Sequence, residues 1–180
     1  MCFHVGSQGE ALIVDTKIGT QPLRLTALGT FRDQIIGILR GALDADDVDG
    51  AEPGSTQQVE LLRGLARQGY TLYQALEEQL PDIASVGPRI QLVTADDDVV
   101  PIEFVYDYGL PTATATLCKH WQDALETGTC RCRAREGEVR YICPLGFWGL
   151  RFVIEREVAT VEGAGPGVER ALGDIEEMVE

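Results

Sequence analysis

Four of the five cysteines, Cys118, Cys130, Cys132 and Cys143, crowd into one stretch of the chain, while Cys2 stands alone at the far end. In a chain without a secretion signal, an odd and clustered cysteine set points to metal or thiol chemistry before disulfides. Four thiolates from separate turns satisfy the tetrahedral, sulfur-rich coordination that structural zinc prefers. The spacing departs from paired Cys-x-x-Cys knuckles, since a central Cys130-Arg131-Cys132 is flanked by two singletons. His120 is an alternative ligand should one cysteine point away. Two other readings stand beside zinc: buried thiols acting as small hydrophobes, and disulfides of undetermined pairing. Disulfides rank last because the compartment reads as reducing, and a thioredoxin-like role is disfavoured by the lack of Cys-x-x-Cys. Arg131, Arg133, Arg135 and Arg140 make the one locally basic stretch, which reads as a surface ion-pair region rather than a phosphate site.

Charge narrows the partners. Across 180 residues, 29 acidic side chains against 15 basic ones leave a formal charge of −14, so polyanions are repelled at long range. Nucleic acid and anionic membrane surfaces are therefore disfavoured. No stretch approaches the ~18 uninterrupted apolar residues of a bilayer span, and Met1-Cys2-Phe3-His4-Val5 lacks the basic start and apolar core of a leader. The expectation is a soluble, cytoplasmic protein. With 44% hydrophobic residues the chain can build a real core.

Periodicity supplies the elements. Ala11-Leu12-Ile13-Val14 and Pro22 to Leu28 read as strands separated by Gly19-Thr20, and the N-terminal end as one that frays. From Thr30, a candidate cap, Phe31, Ile35, Ile38, Leu39 and Leu43 mark a helix face. Asp44 to Gly54 reads as a solvated acidic loop, the spacing of an EF-hand failing at both ends. A second helix spans Gln57 to Leu80, capped by Ser55 and weakened by Gly64 and Gly69. Arg89 to Thr94 and Val99 to Tyr106 read as an antiparallel hairpin turning on Ala95-Asp96-Asp97-Asp98. Arg151 to Val158 reads as a strand or the end of a short helix, and Val168 to Val179 as a final amphipathic helix after a Gly-rich breaker. The mixture predicts an α/β or α+β domain.

No complete active site is legible. A nucleophilic thiol needs a base, and the chain has only His4 and His120, each too local to its nearest cysteine. Gly-x-Ser-x-Gly, Walker and Gly-x-Gly-x-x-Gly motifs are missing from the sequence.

From about position 57 the pattern resembles a known family. Leu61-Leu62-Arg63-Gly64-Leu65, then Ile90-Gln91-Leu92-Val93, then Val100-Pro101-Ile102-Glu103-Phe104-Val105-Tyr106-Asp107 resemble the first half of CHAT domains, caspase-like cysteine peptidases. Pro144-Leu145-Gly146-Phe147-Trp148-Gly149-Leu150-Arg151-Phe152-Val153-Ile154-Glu155-Arg156 is similar to the family's next stretch, and the intervening cysteines to those of a bacterial subgroup. The resemblance implies an α/β fold: a partial caspase-like mixed sheet with flanking helices and a cysteine-rich insert. It divides the chain into 1–56, the CHAT-like portion 57–158 with its insert at 112–146, and a C-terminal linker and helix at 159–180. Pro101 and Glu103 match the Pro-x-Glu signature, read as structural: Pro at a strand position needing no donor, Glu paired with a neighbouring element. The family's catalytic His-Gly and Cys follow that signature, yet no His-Gly occurs here and no His follows His120. The expectation is the N-terminal portion of such a domain, or a non-catalytic relative, inactive alone and bound to the remainder of its polypeptide or to a protein partner. The alternative is a zinc-stabilised interaction module presenting Phe147-Trp148 and the C-terminal helix.

Overall fold

The computed structural model describes residues 2–5, 11–16, 19–24, 28–43, 52–80, 83, 89–94, 100–132 and 137–158, with the backbone alone for the first three of these segments. The acidic residues 44–51, the Asp96-Asp97-Asp98 run and the helix expected over 168–179 lie outside the described residues. Within them, three α-helices accompany a five-stranded mixed sheet and a two-stranded parallel sheet. No described helix is long and apolar enough to cross a membrane.

The larger sheet contains β1 (Cys2–Val5), β2 (Ala11–Thr16), β3 (Gly19–Arg24), β4 (Arg89–Thr94) and β7 (Val153–Val158), in the order β3-β2-β1-β4-β7. The first three strands pair antiparallel, whereas β1 with β4 and β4 with β7 pair parallel. Parallel neighbours need long crossovers. The first carries α1 (Leu28–Leu43) and α2 (Thr56–Gln79), and the second carries the whole cysteine-bearing segment. Alternation in β4 explains its seat: Ile90 and Leu92 are fully buried against the helices, while Arg89 is exposed and bonds to Glu155 of β7.

Both long helices follow their periodicity. Phe31 and Ile35 of α1 and Leu65, Leu72 and Leu76 of α2 enter one continuous core with Ile90, Ile102, Tyr106 and Trp148. The Ser55 hydroxyl accepts the Gln58 amide at 3.3 Å and caps α2. Contrary to the sequence reading, Gly64 and Gly69 do not interrupt the helix. Gly69 lets the Phe104 carbonyl approach so closely that an added Cβ would lie 1.9 Å from it.

Several expectations are corrected. Cys2–Val5 is an interior strand rather than a fraying end, and Gly19-Thr20 begin β3 instead of separating two strands. Of the segment expected over Val99 to Tyr106, the described part, Val100 to Tyr106, does not pair with β4, because both edges of β4 are taken by β1 and β7. Pro101 instead opens a 3-10 turn over Ile102–Phe104, so it occupies no strand position. The apolar run that suggested a strand is an irregular buried segment: Val100, Ile102, Val105 and Tyr106 are all core. A strand and a buried non-strand segment share that composition, so periodicity could not separate them.

Glu103, on that turn, receives Arg156 of β7 at 2.6 Å and 3.0 Å. Each side chain is more than a third exposed, so solvent screening limits the pair. We expect Glu103→Gln to cost about 1 kcal/mol or less in urea denaturation, a loss well below that of a core truncation.

Candidate metal centre

Strands β5 (Leu110–Leu117) and β6 (Glu138–Ile142) form the small parallel sheet that positions the cysteines. Helix α2 fixes β5 from one side, Arg63 donating to the Ala115 carbonyl at 2.9 Å and Arg67 to that of Pro111. In the register, Leu117 lies opposite Ile142. Cys118 and Cys143 therefore leave adjacent strands at the same end, and the Cys118 amide donates to the Ile142 carbonyl at 2.9 Å.

Each of these cysteines opens a tight turn. Trp121 N–H returns to Cys118 O at 3.0 Å, and Gly146 N–H to Cys143 O at 2.9 Å. Within the turns the amides of His120 and Leu145 donate to the Cys118 and Cys143 sulfurs, respectively. The Cys132 amide likewise donates to Cys130 Sγ at 3.4 Å. Three sulfurs thus accept an amide from two residues downstream, an outer shell that favours thiolate. The other two cysteines follow α3 (Trp121–Thr127), whose end is capped by Gly128 at φ 66°, a left-handed turn that redirects the chain.

The four sulfurs all lie within 4.8 Å of one another and can hold a metal ion. Cys118 and Cys130 are 3.9 Å apart, close to the ~3.8 Å edge of a tetrahedron with ~2.3 Å metal–sulfur bonds. Cys130 and Cys132 stand at 2.6 Å, so an ion would spread that pair by about 1 Å. Cys118 and Cys143 are buried with Ala124 and Leu145, and the other two are half-buried.

Burial pushes the Cys118 and Cys143 thiols up, and Cys132 up to about 12. At Cys130 burial also acts upward, but hydrogen bonds from Cys132 and the other sulfurs outweigh it and bring the thiol down. Without a cation the cluster is therefore held mainly as neutral thiols. A divalent ion reverses that balance by deprotonating the sulfurs it binds.

The ring of His120 does not belong to this donor group; the residue caps α3 without a side-chain hydrogen bond. Among the described residues no hydrogen bond joins the His120 imidazole to a thiol; only its backbone amide reaches the Cys118 sulfur. Sequence reading missed what ties the cluster to the core. Tyr106 Oη accepts the Cys143 amide at 3.1 Å, and its ring lies against Gly146, where a Cβ would meet it at 2.2 Å. Phe147 packs edge-on to Tyr106 at 5.0 Å. The Trp148 indole donates to Asp107 at 3.2 Å, and Asp107 pairs with Arg151, itself stacked on Tyr108 and Phe152. The aromatic density of Tyr106-Asp107-Tyr108 and Phe147-Trp148 was the available signal.

No protein-family model, curated protein or solved structure matches the chain.

Proposed function

We propose that Cys118, Cys130, Cys132 and Cys143 hold one structural Zn²⁺, and that the chain so stabilised is a non-catalytic scaffold that binds protein. The observation that carries this is the convergence of four sulfurs within 4.8 Å. Four protein thiolates close a zinc tetrahedron and leave no open position for water or substrate, which is the arrangement of a structural rather than a catalytic ion. The binding partner is the remainder of the same polypeptide or a separate protein; a charge of −14 disfavours nucleic acid and anionic lipid. The scaffold corresponds to the N-terminal portion of a CHAT-type caspase-like peptidase domain, on the resemblance of Pro101-Ile102-Glu103 and the stretch from Pro144 to Arg156.

The test uses the reduced, zinc-loaded protein. Amide exchange in β5 and β6 should be slow with zinc and accelerate by at least about tenfold after chelation, because the ion holds both strand ends. The same protein should hydrolyse no peptide, since among the described residues no imidazole is hydrogen-bonded to a thiol. Thiol-dependent hydrolysis abolished by His120→Ala, or exchange unchanged by chelation, would overturn the proposal.

Acid should release the ion. Protons compete with zinc for sulfurs whose thiol form burial favours at Cys118, Cys132 and Cys143, so affinity falls as pH falls. Zinc titrations at several pH values should show about tenfold loss per pH unit for each proton displaced.

A further inference from the structure

The four sulfurs divide into two pairs by their surroundings. Cys118 is 5% exposed and Cys143 0%, both in one buried cluster with Ala124 of α3 and Leu145, whereas Cys130 and Cys132 are half-buried on the segment that follows α3. The solvent-side pair is also close, 2.6 Å between sulfurs, with the exposed Arg131 between the two residues. A small oxidant in solvent therefore meets the half-buried Cys130 and Cys132 more readily than the buried Cys118 and Cys143.

We infer that Cys130 and Cys132 form an oxidation site at which hydrogen peroxide converts the pair to a disulfide and expels the metal. The inference rests on the zinc reading above. One thiolate of the pair attacks a peroxide oxygen, the O–O bond breaks, and a sulfenic acid and hydroxide result. The second thiolate attacks that sulfur, the S–S bond forms, and a second hydroxide leaves. Each sulfur gives up one electron, the peroxide takes two, and two protons from solvent complete two waters. Zinc then keeps only the buried Cys118 and Cys143 thiolates, too few for a closed tetrahedron, and dissociates. Reduction of the disulfide and added zinc restore the site. The scaffold is thereby unlocked by oxidant and locked again by thiol reductant.

The experiment titrates reduced, zinc-loaded protein with hydrogen peroxide while a chromogenic chelator reads free zinc. The five thiols are counted in parallel. Two thiols should disappear for each zinc released, and dithiothreitol with zinc should reverse both. Trypsin cleaves after Arg131 and Arg133, so the disulfide appears as two peptides joined through Cys130 and Cys132. Zinc retained under excess peroxide, oxidation mapping to Cys118 and Cys143, or sulfinic acids without a disulfide would overturn the inference while leaving the zinc site standing. A reduced protein that takes up no zinc would overturn both.

Discussion

Cys143→Ser is expected to leave the protein without its metal and with the β5–β6 sheet unfolded. Cys143 is fully buried, its amide is anchored on Tyr106, and its turn places Leu145 and Phe147 in the core. Serine keeps the size of the side chain but offers an alcohol oxygen that is a poor zinc ligand at neutral pH. Structural zinc contributes ~10–16 kcal/mol of apparent binding free energy in small zinc domains, comparable with the whole stability of an ordinary domain. Loss of one of four ligands removes much of that. Thermal unfolding followed by the near-ultraviolet signal of Trp121 and Trp148 should show a transition lowered by ten degrees or more, on the order of what several kcal/mol produce. Full zinc retention by Cys143→Ser would show that this sulfur is not a ligand.

The second large effect is at Gly69. An alanine Cβ there would lie 1.9 Å from the Phe104 carbonyl oxygen, 2.9 Å from the Tyr106 nitrogen and 3.0 Å from the Tyr106 Cβ. Two of those neighbours are backbone and cannot rotate away. Alanine improves helix propensity by ~1 kcal/mol over glycine, yet the clash requires α2 to move off the Phe104 segment and should cost roughly 3 kcal/mol or more. Gly64→Ala supplies the contrast. Its Cβ would meet Ile38 at 3.6 Å, an ordinary contact, so propensity prevails and stability should rise by up to ~1 kcal/mol. Urea denaturation separates the two, and a Gly69→Ala protein as stable as the parent would contradict the packing of α2 on Phe104.

The contrast between these glycines shows where the sequence was readable. The periods of Phe31-Ile35-Ile38 and Leu65-Leu72-Leu76 are local, and they located α1 and α2 to within a few residues. Arg89 to Thr94 alternates and is β4. Gly69 looked like a weak point because its reason lies with Phe104, a contact that no local pattern encodes. Val100 to Tyr106 failed as a strand for a related cause: its apolar content reports burial, and whether a buried segment pairs depends on which edges remain free. β1 was missed because four residues at an end carry too little pattern, and its place between β2 and β4 is set by long-range pairing. At the site the cysteines were legible from residue type alone, since few roles suit four clustered thiols. Excluding His120 and finding Tyr106, Gly146 and the Asp107–Arg151 pair beneath the cluster required the third dimension.

The central claim is a closed four-thiolate zinc centre. Elemental analysis of protein purified under reductant, combined with zinc X-ray absorption, tests it most directly. One zinc per chain with four sulfurs at ~2.3 Å is the expected result. Substoichiometric zinc in protein whose five thiols are reduced, or a first shell containing nitrogen or oxygen in place of sulfur, would contradict it.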